Sequence, residues 1–179
     1  MPDPSTVRAL ILDCDGVMTD GSLYVDDNGL ETRRFSVRDG FGIALWKSFD
    51  LPIAVISGRG GASLRHRMAR LGVEDVVQSS ADKAAALRDA AARLRVTAAD
   101  CAFMGDDWPD LPAMALAGYP IAVADAAPAV RAAAAWVTTT PGGHGAVREA
   151  IEHILSAKGL LAGGAAKFGS VRAKTRDAG

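Results

Sequence analysis

The fold is decided by the stretch Leu10-Ile11-Leu12-Asp13-Cys14-Asp15-Gly16-Val17, in which an apolar run ends abruptly in two aspartates and a glycine. An apolar run followed by turn residues predicts a buried strand. Because side chains alternate along a strand, Asp13 and Asp15 would point to one side at its carboxyl end, where open parallel sheets bind ligands. Carboxylates this close repel each other, and Mg²⁺, which prefers oxygen ligands, would relieve the repulsion. The alternative interpretation is a strand end with two solvated aspartates.

Length and composition predict one domain in a reducing compartment. The chain has 179 residues, which suits a single domain, and a formal net charge of −1, which does not suit a nucleic-acid-binding surface. The two cysteines, Cys14 and Cys101, each lie in a predicted buried strand, so no disulfide is expected. Residues 1–7 lack the features of a signal peptide, and no apolar stretch reaches the roughly 20 residues of a membrane span. We therefore expect a cytoplasmic protein without a nucleic-acid or membrane partner.

Short apolar runs alternate along the chain with segments whose apolar residues have helical spacing. The predicted strands are Arg8–Asp13, Pro52–Ile56, Asp75–Gln78, Cys101–Met104, Tyr119–Val123 and Trp136–Thr138. The predicted helices are Asp39–Phe49, Leu64–Leu71, Lys83–Leu94, Leu111–Ala117, Ala129–Ala134 and Ala146–Lys158. Asp39 and Asp82 are the expected N-caps of the first and third helices, and Gly72 is the expected end of the second. The alternation predicts an α/β fold, in which a mainly parallel sheet carries helices on both faces.

Two segments stand outside this alternation. Gly21–Phe35 has short apolar runs on either side of Asn28-Gly29, a pair typical of hairpin turns, so we expect a β-hairpin that leaves the carboxyl edge of the sheet and covers the site. After Lys158 the chain becomes rich in glycine and basic residues and shows no sustained periodicity. We therefore predict one domain over residues 1–158 and a flexible C-terminal tail over residues 159–179.

Polar residues follow four of the predicted strands and would meet at one edge of a parallel sheet. They are Asp13, Asp15, Ser57, Arg59, Lys83, Asp106, Asp107 and Asp110. An aspartate can attack phosphorus and form an aspartyl-phosphate, which divides hydrolysis into two displacements. The transferred phosphoryl group is negative, so it needs a metal ion and cationic or hydroxyl donors around it. Asp106 could complete the metal shell, while Lys83 supplies a positive charge and Ser57 a hydrogen bond.

Four stretches resemble, in order, the motifs of the haloacid dehalogenase superfamily of phosphotransferases. They are Asp13-Cys14-Asp15-Gly16-Val17-Met18-Thr19-Asp20-Gly21, Ile56-Ser57-Gly58-Arg59, Lys83, and Gly105-Asp106-Asp107-x-x-Asp110. The resemblance implies a Rossmann-like fold in which Asp13 is the nucleophile and a Mg²⁺ ligand, and Asp106 is a further ligand. It implies that Asp15 is the general acid and base, and that its backbone carbonyl also binds Mg²⁺. The other implied roles are substrate binding, by Ser57, Gly58, Arg59 and Lys83, and orientation of the metal shell, by Asp107 and Asp110.

Within the superfamily, the long first motif, the hairpin, the compact length and Ser57-Gly58-Arg59 resemble a capless subfamily of phosphatases. That subfamily hydrolyses 3-deoxy-D-manno-octulosonate 8-phosphate, an eight-carbon acid sugar phosphate, in lipopolysaccharide precursor synthesis. The resemblance implies a homotetramer in which the hairpin packs against a neighbouring subunit. Two alternatives stay open: a phosphatase for a nine-carbon acid sugar phosphate, for which an acidic residue is common in place of Arg59, and a non-catalytic phosphatase-like module. Arg67 and Arg70 are expected on a solvated helix face, and His144 in a glycine loop near the site.

Overall fold

A six-stranded parallel sheet forms the centre of the protein. The computed structural model describes residues 2–174, and the side chains of residues 2–168. The strands are β1 (Ala9–Leu12), β2 (Tyr24–Val25), β3 (Glu31–Thr32), β4 (Ile53–Ile56), β5 (Asp75–Val77), β6 (Cys101–Gly105), β7 (Tyr119–Ala122) and β8 (Trp136–Val137). The sheet has the order β5-β4-β1-β6-β7-β8, and all its neighbouring strands are parallel. The predicted α/β architecture is confirmed.

β1 lies inside the sheet, between β4 and β6, and all four of its residues are apolar. Each of them is fully buried. Successive side chains of a strand point to opposite faces, so both faces of the sheet are covered here. In register, Leu10 lies beside Ile53 of β4 and beside Ala102 of β6. The carboxyl end of β1, where Asp13 follows, therefore lies between the carboxyl ends of two neighbouring strands.

The described residues form seven α-helices: α1 (Val37–Lys47), α2 (Ala62–Leu71), α3 (Lys83–Arg93), α4 (Leu111–Met114), α5 (Pro128–Ala133), α6 (Ala146–Ala157) and α7 (Leu161–Lys174). α1 packs against α6 and α2, while α3 and α5 both pack against α4. α3 is capped as predicted, because the Asp82 carboxylate accepts the N–H of Ala85 at 2.9 Å. α2 ends as predicted at Gly72, whose φ of 64° lies in the left-handed region that favours glycine.

α1 uses a different N-cap from the predicted one. Ser36 Oγ accepts the N–H of Arg38 and Asp39 at 3.1 and 3.4 Å, so Ser36 is the cap. Asp39 is buried in the first turn instead, and its carboxylate accepts the N–H of Gly145 and Arg148 at 3.2 and 3.0 Å, at the start of α6. The prediction that Asp39 caps α1 is wrong, because the backbone donors that its carboxylate satisfies belong to a distant helix.

The predicted hairpin is confirmed. β2 and β3 pair in antiparallel fashion, with Tyr24 opposite Thr32. The Asp26 carboxylate accepts the N–H of Asn28 and Leu30 at 2.9 and 2.8 Å, which closes the turn. Four large hydrophobic side chains on the hairpin are 37–64% exposed: Leu23, Tyr24, Val25 and Leu30. The hairpin therefore presents an apolar surface that the described part of the chain leaves exposed.

Within the segment after Lys158, for which a flexible tail is predicted, Leu161–Lys174 forms α7. The Phe168 ring packs against Phe41 of α1, with ring centroids 4.9 Å apart. A Cβ added to Gly164 would lie 2.7 Å from Leu45 Cδ1, so this glycine lets α7 approach α1 closely. Residues 175–179 of the predicted tail lie outside the described residues. Over residues 2–174, no helix is long and apolar enough to cross a membrane.

Candidate active site

Lys83 joins two aspartates at the carboxyl edge of the sheet. It is the first residue of α3, which begins shortly after β5 ends. Its Nζ donates to Asp13 Oδ1 and to Asp110 Oδ1, both at 2.6 Å. The lysine side chain is only 7% exposed. Charge-assisted hydrogen bonds in a buried position are strong, so the ammonium holds the two carboxylates in a defined arrangement.

Asp110 organises the loop that follows β6. Its Oδ2 accepts the backbone N–H of Asp106 at 2.9 Å and that of Asp107 at 3.3 Å, while its Oδ1 accepts from Lys83. A short 3₁₀ turn, Trp108–Asp110, returns the carboxylate to the loop, and the Asp107 carboxylate caps this turn by accepting the N–H of Trp108 at 2.8 Å. Both oxygens of Asp110 therefore bind protein groups, and the residue fixes Lys83 and the Asp106 backbone together.

Asp13, Asp106 and Asp110 form a carboxylate cluster that fits a cation. One oxygen from each residue lies within 4.8 Å of the others. Burial, followed by the charges of neighbouring aspartates, raises the pKa of Asp13 to about 7 and that of Asp106 to about 8, from an ordinary 3.8. Burial lowers the pKa of Lys83, but the charges of Asp13 and Asp110 outweigh it and raise that pKa overall. Three carboxylates thus face one ammonium, and a hard divalent cation with oxygen ligands would balance the excess negative charge.

Gly16 lets Asp106 approach the loop after β1. Its φ is +90°, and an added Cβ would lie 2.0 Å from Asp106 Oδ2, so a larger residue would collide with this carboxylate. A second glycine loop closes on the same backbone, because a Cβ on Gly142 would lie 1.7 Å from the Gly16 carbonyl oxygen. The N–H of Gly143 also donates to the carbonyl of Val17 at 3.0 Å. The first motif is therefore enclosed by close backbone contacts.

The Asp15 side chain faces the hairpin and not the carboxylate cluster. Its Oδ1 lies 2.8 Å from Arg33 Nε, and its Oδ2 accepts from Arg33 Nη2 at 3.3 Å. Asp15 still lines the same cleft as Asp13. Arg33 is not among the predicted site residues, because its partner lies 18 residues away in the chain. The available signal was its place in a hairpin that was predicted to cover the site.

The cleft around these groups has a volume of about 440 Å³. It is lined by Asp13, Asp15, Gly58, Arg59, Ser80, Ala81, Lys83, Asp106, Asp107, Pro109 and Asp110. These residues include all the predicted site residues except Ser57, so the expected convergence of strand ends is present. A larger hollow, of about 910 Å³, lies along the edge strand β5. It contains none of the predicted site residues, so we assign the chemistry to the smaller cleft.

The segment after β4 holds the predicted phosphate-binding and substrate-binding residues. Ser57 is buried, and its hydroxyl donates to the carbonyl of Arg59 at 2.7 Å and accepts the N–H of Arg59 at 3.2 Å. The Arg59 side chain is exposed and its Nη2 lies 3.2 Å from Glu31 Oε2 on the hairpin. An exposed ion pair of this kind contributes little stability, about 0–1 kcal/mol. The Arg59 guanidinium can therefore exchange this partner for another anion at small cost.

Three other basic residues lie away from the cleft lining. Arg67 Nη2 donates to the carbonyl of Ser36 at 3.0 Å, so Arg67 is half-buried beside α1 and the prediction of a solvated position is wrong for it. Arg70 is exposed, as predicted. His144 lies in the predicted glycine loop, with its Nδ1 3.4 Å from Arg34 Nη1.

Comparison with known proteins identifies the family to which this site belongs. Residues 68–151 match the family model described as haloacid dehalogenase-like hydrolase. The 3-deoxy-D-manno-octulosonate 8-phosphate phosphatase KdsC of Escherichia coli strain B / BL21-DE3 is 40% identical over 161 residues, which cover 90% of this chain and 86% of that protein. This chain belongs to the KdsC family of haloacid dehalogenase-like hydrolases. The KdsC-family resemblance extends well beyond the motifs, because the matched residues cover 90% of this chain.

Solved structures of the KdsC family have the same fold. The cobalt-bound deoxy-D-mannose-octulosonate 8-phosphate phosphatase of Haemophilus influenzae matches with a TM-score of 0.86 and 42% identity, over 88% of this chain and 92% of that one. The Moraxella catarrhalis 3-deoxy-D-manno-octulosonate 8-phosphate phosphatase matches with a TM-score of 0.89 and 35% identity, over 92% of this chain and 95% of that one. That structure is a complex with a magnesium ion, a phosphate ion and a KDO molecule.

Proposed function

We propose that this chain is a Mg²⁺-dependent phosphatase that converts 3-deoxy-D-manno-octulosonate 8-phosphate into 3-deoxy-D-manno-octulosonate and phosphate, in lipopolysaccharide precursor synthesis. The observation that carries the proposal is the buried Asp13–Lys83 pair in one cleft with Asp106. A carboxylate nucleophile, a cation for the phosphoryl group and a further metal ligand are the groups that an aspartyl-phosphate reaction requires. The substrate is that of the KdsC relatives, one of which is described with magnesium, phosphate and KDO.

The residues present fit a magnesium ion. Asp13 and Asp106 would hold it with their carboxylates, and the resemblance adds the backbone carbonyl of Asp15 as a ligand. Asp110 would not bind the ion directly and would hold the groups around it in place, because its oxygens already bind Lys83 and two backbone N–H groups. Asp107 would help to orient the shell. When bound, the ion neutralises the carboxylate cluster and stabilises negative charge on the phosphoryl oxygens.

The first half of the reaction transfers the phosphoryl group to the protein. An oxygen of Asp13 attacks the phosphorus atom, and the bond between phosphorus and the sugar oxygen breaks. Asp15 gives a proton to the departing sugar oxygen, which otherwise leaves as an unstable alkoxide. Lys83 stays beside the attacking carboxylate and faces the phosphoryl oxygens, while Ser57 and the backbone of Gly58 supply hydrogen bonds.

The second half restores the enzyme. Asp15, now ionised, accepts a proton from a water molecule as that water attacks the phosphorus of the aspartyl-phosphate. The bond between phosphorus and the Asp13 oxygen breaks, phosphate leaves, and Asp13 regains its negative charge. The Lys83 ammonium and the fixed Asp110 carboxylate keep Asp13 in place through both steps.

Arg59 is our candidate for recognition of the sugar carboxylate. It lines the cleft, and its present partner, Glu31, is held in an exposed pair that a substrate carboxylate can displace. A guanidinium suits a carboxylate because it offers two parallel N–H donors. An acidic residue is common at this place in the nine-carbon alternative, so the charge of Arg59 supports, by resemblance, the eight-carbon substrate.

We propose further that the enzyme is a cytoplasmic homotetramer. The exposed apolar side chains of the hairpin, which carries Leu23, Tyr24, Val25 and Leu30, support an interface with another subunit. Both cysteines are buried thiols without a disulfide, as suits a reducing compartment. Residues 1–158 would form the phosphatase domain, and residues 159–179 an appended segment whose flexibility stays a prediction.

The test of the proposed function is a phosphate-release assay. Purified protein is incubated with 3-deoxy-D-manno-octulosonate 8-phosphate and with a panel of other sugar phosphates, first with Mg²⁺ and then with excess chelator. We expect release from the eight-carbon substrate that stops on chelation and that Asp13→Asn removes, because the amide keeps the shape of the side chain and loses its nucleophilic charge. Undiminished turnover by Asp13→Asn would refute the aspartyl-phosphate mechanism.

A further inference from the structure

The hairpin contributes one buried charged side chain to the site. We propose that Arg33 is a positioning residue that holds the Asp15 carboxylate at the angle needed for proton transfer. The inference rests on the proposed phosphatase function and assigns to the hairpin a part in the chemistry of its own subunit. Arg33 does not line the cleft, so it acts through Asp15 and not on the substrate.

The contacts of Arg33 join three separate segments. Its Nε lies 2.8 Å from Asp15 Oδ1 and its Nη2 donates to Asp15 Oδ2 at 3.3 Å. The same Nη2 donates to the carbonyl of Gly60 at 3.0 Å, in the loop after β4. The Arg33 side chain is only 3% exposed, although it follows β3 on a hairpin with much exposed surface. One guanidinium therefore links the hairpin, the loop after β1 and the loop after β4.

A glycine in the loop after β4 leaves space for the Arg33 guanidinium. A Cβ added to Gly61 would lie 3.1 Å from Arg33 Nη1, so a side chain there would crowd the arginine. The ion pair between Glu31 and Arg59 connects the hairpin to the same loop a second time. Arg34 is a useful contrast, since its side chain is 50% exposed and its Nη1 lies 3.6 Å from Asp20 Oδ2. Of these two neighbouring arginines, Arg33 is the one that contacts Asp15.

A two-point contact matters because proton transfer depends on geometry. A carboxylate accepts up to four hydrogen bonds, so an arginine along one edge leaves lone pairs available toward the cleft. The hydrogen bond from Nη2 to Oδ2 and the ion-pair contact of Nε with Oδ1, which lacks hydrogen-bond geometry, together restrain rotation of the carboxylate more than a single contact would. A displacement of about 1 Å at a reacting group can cost about a hundredfold in rate. Without Arg33, the Asp15 carboxylate could still give and accept a proton, but its orientation would no longer be restrained.

The test compares two esters that differ in their need for an acid. The alcohol that leaves 3-deoxy-D-manno-octulosonate 8-phosphate must be protonated, whereas 4-nitrophenolate leaves 4-nitrophenyl phosphate readily without a proton. The measured quantity is kcat/KM, which covers the steps up to departure of the alcohol and excludes hydrolysis of the aspartyl-phosphate. For Arg33→Met we expect kcat/KM to fall about 50-fold with the sugar phosphate and about threefold or less with the aryl phosphate.

Two further variants separate positioning from folding. Arg33→Lys keeps the charge but not the two-point contact, so its loss with the sugar phosphate should be intermediate, about tenfold. Arg34→Met is the matched control on the neighbouring residue and should keep the wild-type ratio between the two esters. Thermal unfolding of each variant checks the fold, and if Arg33→Met does not fold, Arg33→Lys and Arg33→Gln are compared by the same ratio.

An equal fall of kcat/KM with both esters, or wild-type values with both, would overturn the positioning role. These outcomes leave the phosphatase function standing, because the wild-type enzyme and Asp13→Asn test it separately. Wild-type protein that hydrolyses neither ester with Mg²⁺ present would overturn the proposed function and this inference with it.

Discussion

Substitution of Gly16 by alanine tests whether the loop after β1 and the Asp106 carboxylate must approach as closely as they do. The added Cβ would lie 2.0 Å from Asp106 Oδ2 and 2.4 Å from its Cγ, where ordinary contacts are 3.4–4 Å. The Asp106 carboxylate must therefore rotate away from its present position, or one of the two loops must move. The hydrogen bonds that bind Asp110 to the Asp106 loop oppose movement on that side.

Two costs are expected from Gly16→Ala. The backbone cost arises from the φ of +90° and amounts to about 1–2 kcal/mol of folding stability, as for any non-glycine residue in a left-handed conformation. The functional cost arises from displacement of a metal ligand, and we expect kcat to fall about a hundredfold and the Mg²⁺ requirement to rise.

Gly29→Ala is the matched control, because Gly29 has a similar φ of +75° and no atom within 4 Å of an added Cβ. Urea unfolding should show the backbone cost in both variants and a loss in Gly16→Ala at least as large as in Gly29→Ala, while phosphate release as a function of Mg²⁺ concentration should change only in Gly16→Ala. Wild-type kcat and wild-type Mg²⁺ requirement in Gly16→Ala would refute the reasoning, as would an equal loss of activity in Gly29→Ala.

Three further outcomes are expected. Asp106→Asn should raise the Mg²⁺ concentration for half-maximal rate about tenfold or more and lower kcat, and an unchanged Mg²⁺ titration would exclude Asp106 as a ligand. The pKa values of Asp13 and Asp106 are raised from 3.8 to about 7 and about 8. The folded metal-free protein therefore binds more protons than the unfolded chain, and its free energy of unfolding should fall as the pH rises from about 4 to about 8. Mg²⁺ needs the ionised carboxylates, so differential scanning fluorimetry should show a larger Mg²⁺-induced rise in Tm at pH 8 than at pH 6, and an equal rise would contradict this. Light scattering after size exclusion should show a tetramer that the double variant Val25→Ser, Leu30→Ser shifts toward smaller species, whereas a fully active wild-type monomer would argue against the interface.

The convergence of the site on one sheet edge could be predicted from local patterns. Apolar runs mark the strands, and each polar cluster follows the end of its run within a few residues. Parallel strands place their carboxyl ends at the same edge, so Asp13, Lys83 and Asp106 had to come close once the sheet was parallel. Caps such as Asp82 and helix ends such as Gly72 were also predictable, because their partners lie within a few residues along the chain.

Two features could not be predicted in this way, because they depend on contacts between residues that are far apart in the chain. Asp39 looks like a helix cap in sequence, but its carboxylate binds the start of α6. α7 contains glycines that disfavour a helix, yet Gly164 is what permits the helix to lie against Leu45. In both cases tertiary contacts outweighed local propensity.

The α/β class, the order of the elements and the residue types that meet at the carboxyl edge follow from the amino-acid sequence, because they depend on periodicity and on spacing along the chain. The contacts of Asp110 with Lys83 and the Asp106 loop, and of Arg33 with Asp15, could be seen only in the folded protein. Those contacts depend on how loops and a hairpin dock against the sheet, a geometry set by packing among residues far apart in the chain. Local sequence patterns do not predict how these segments pack against the sheet.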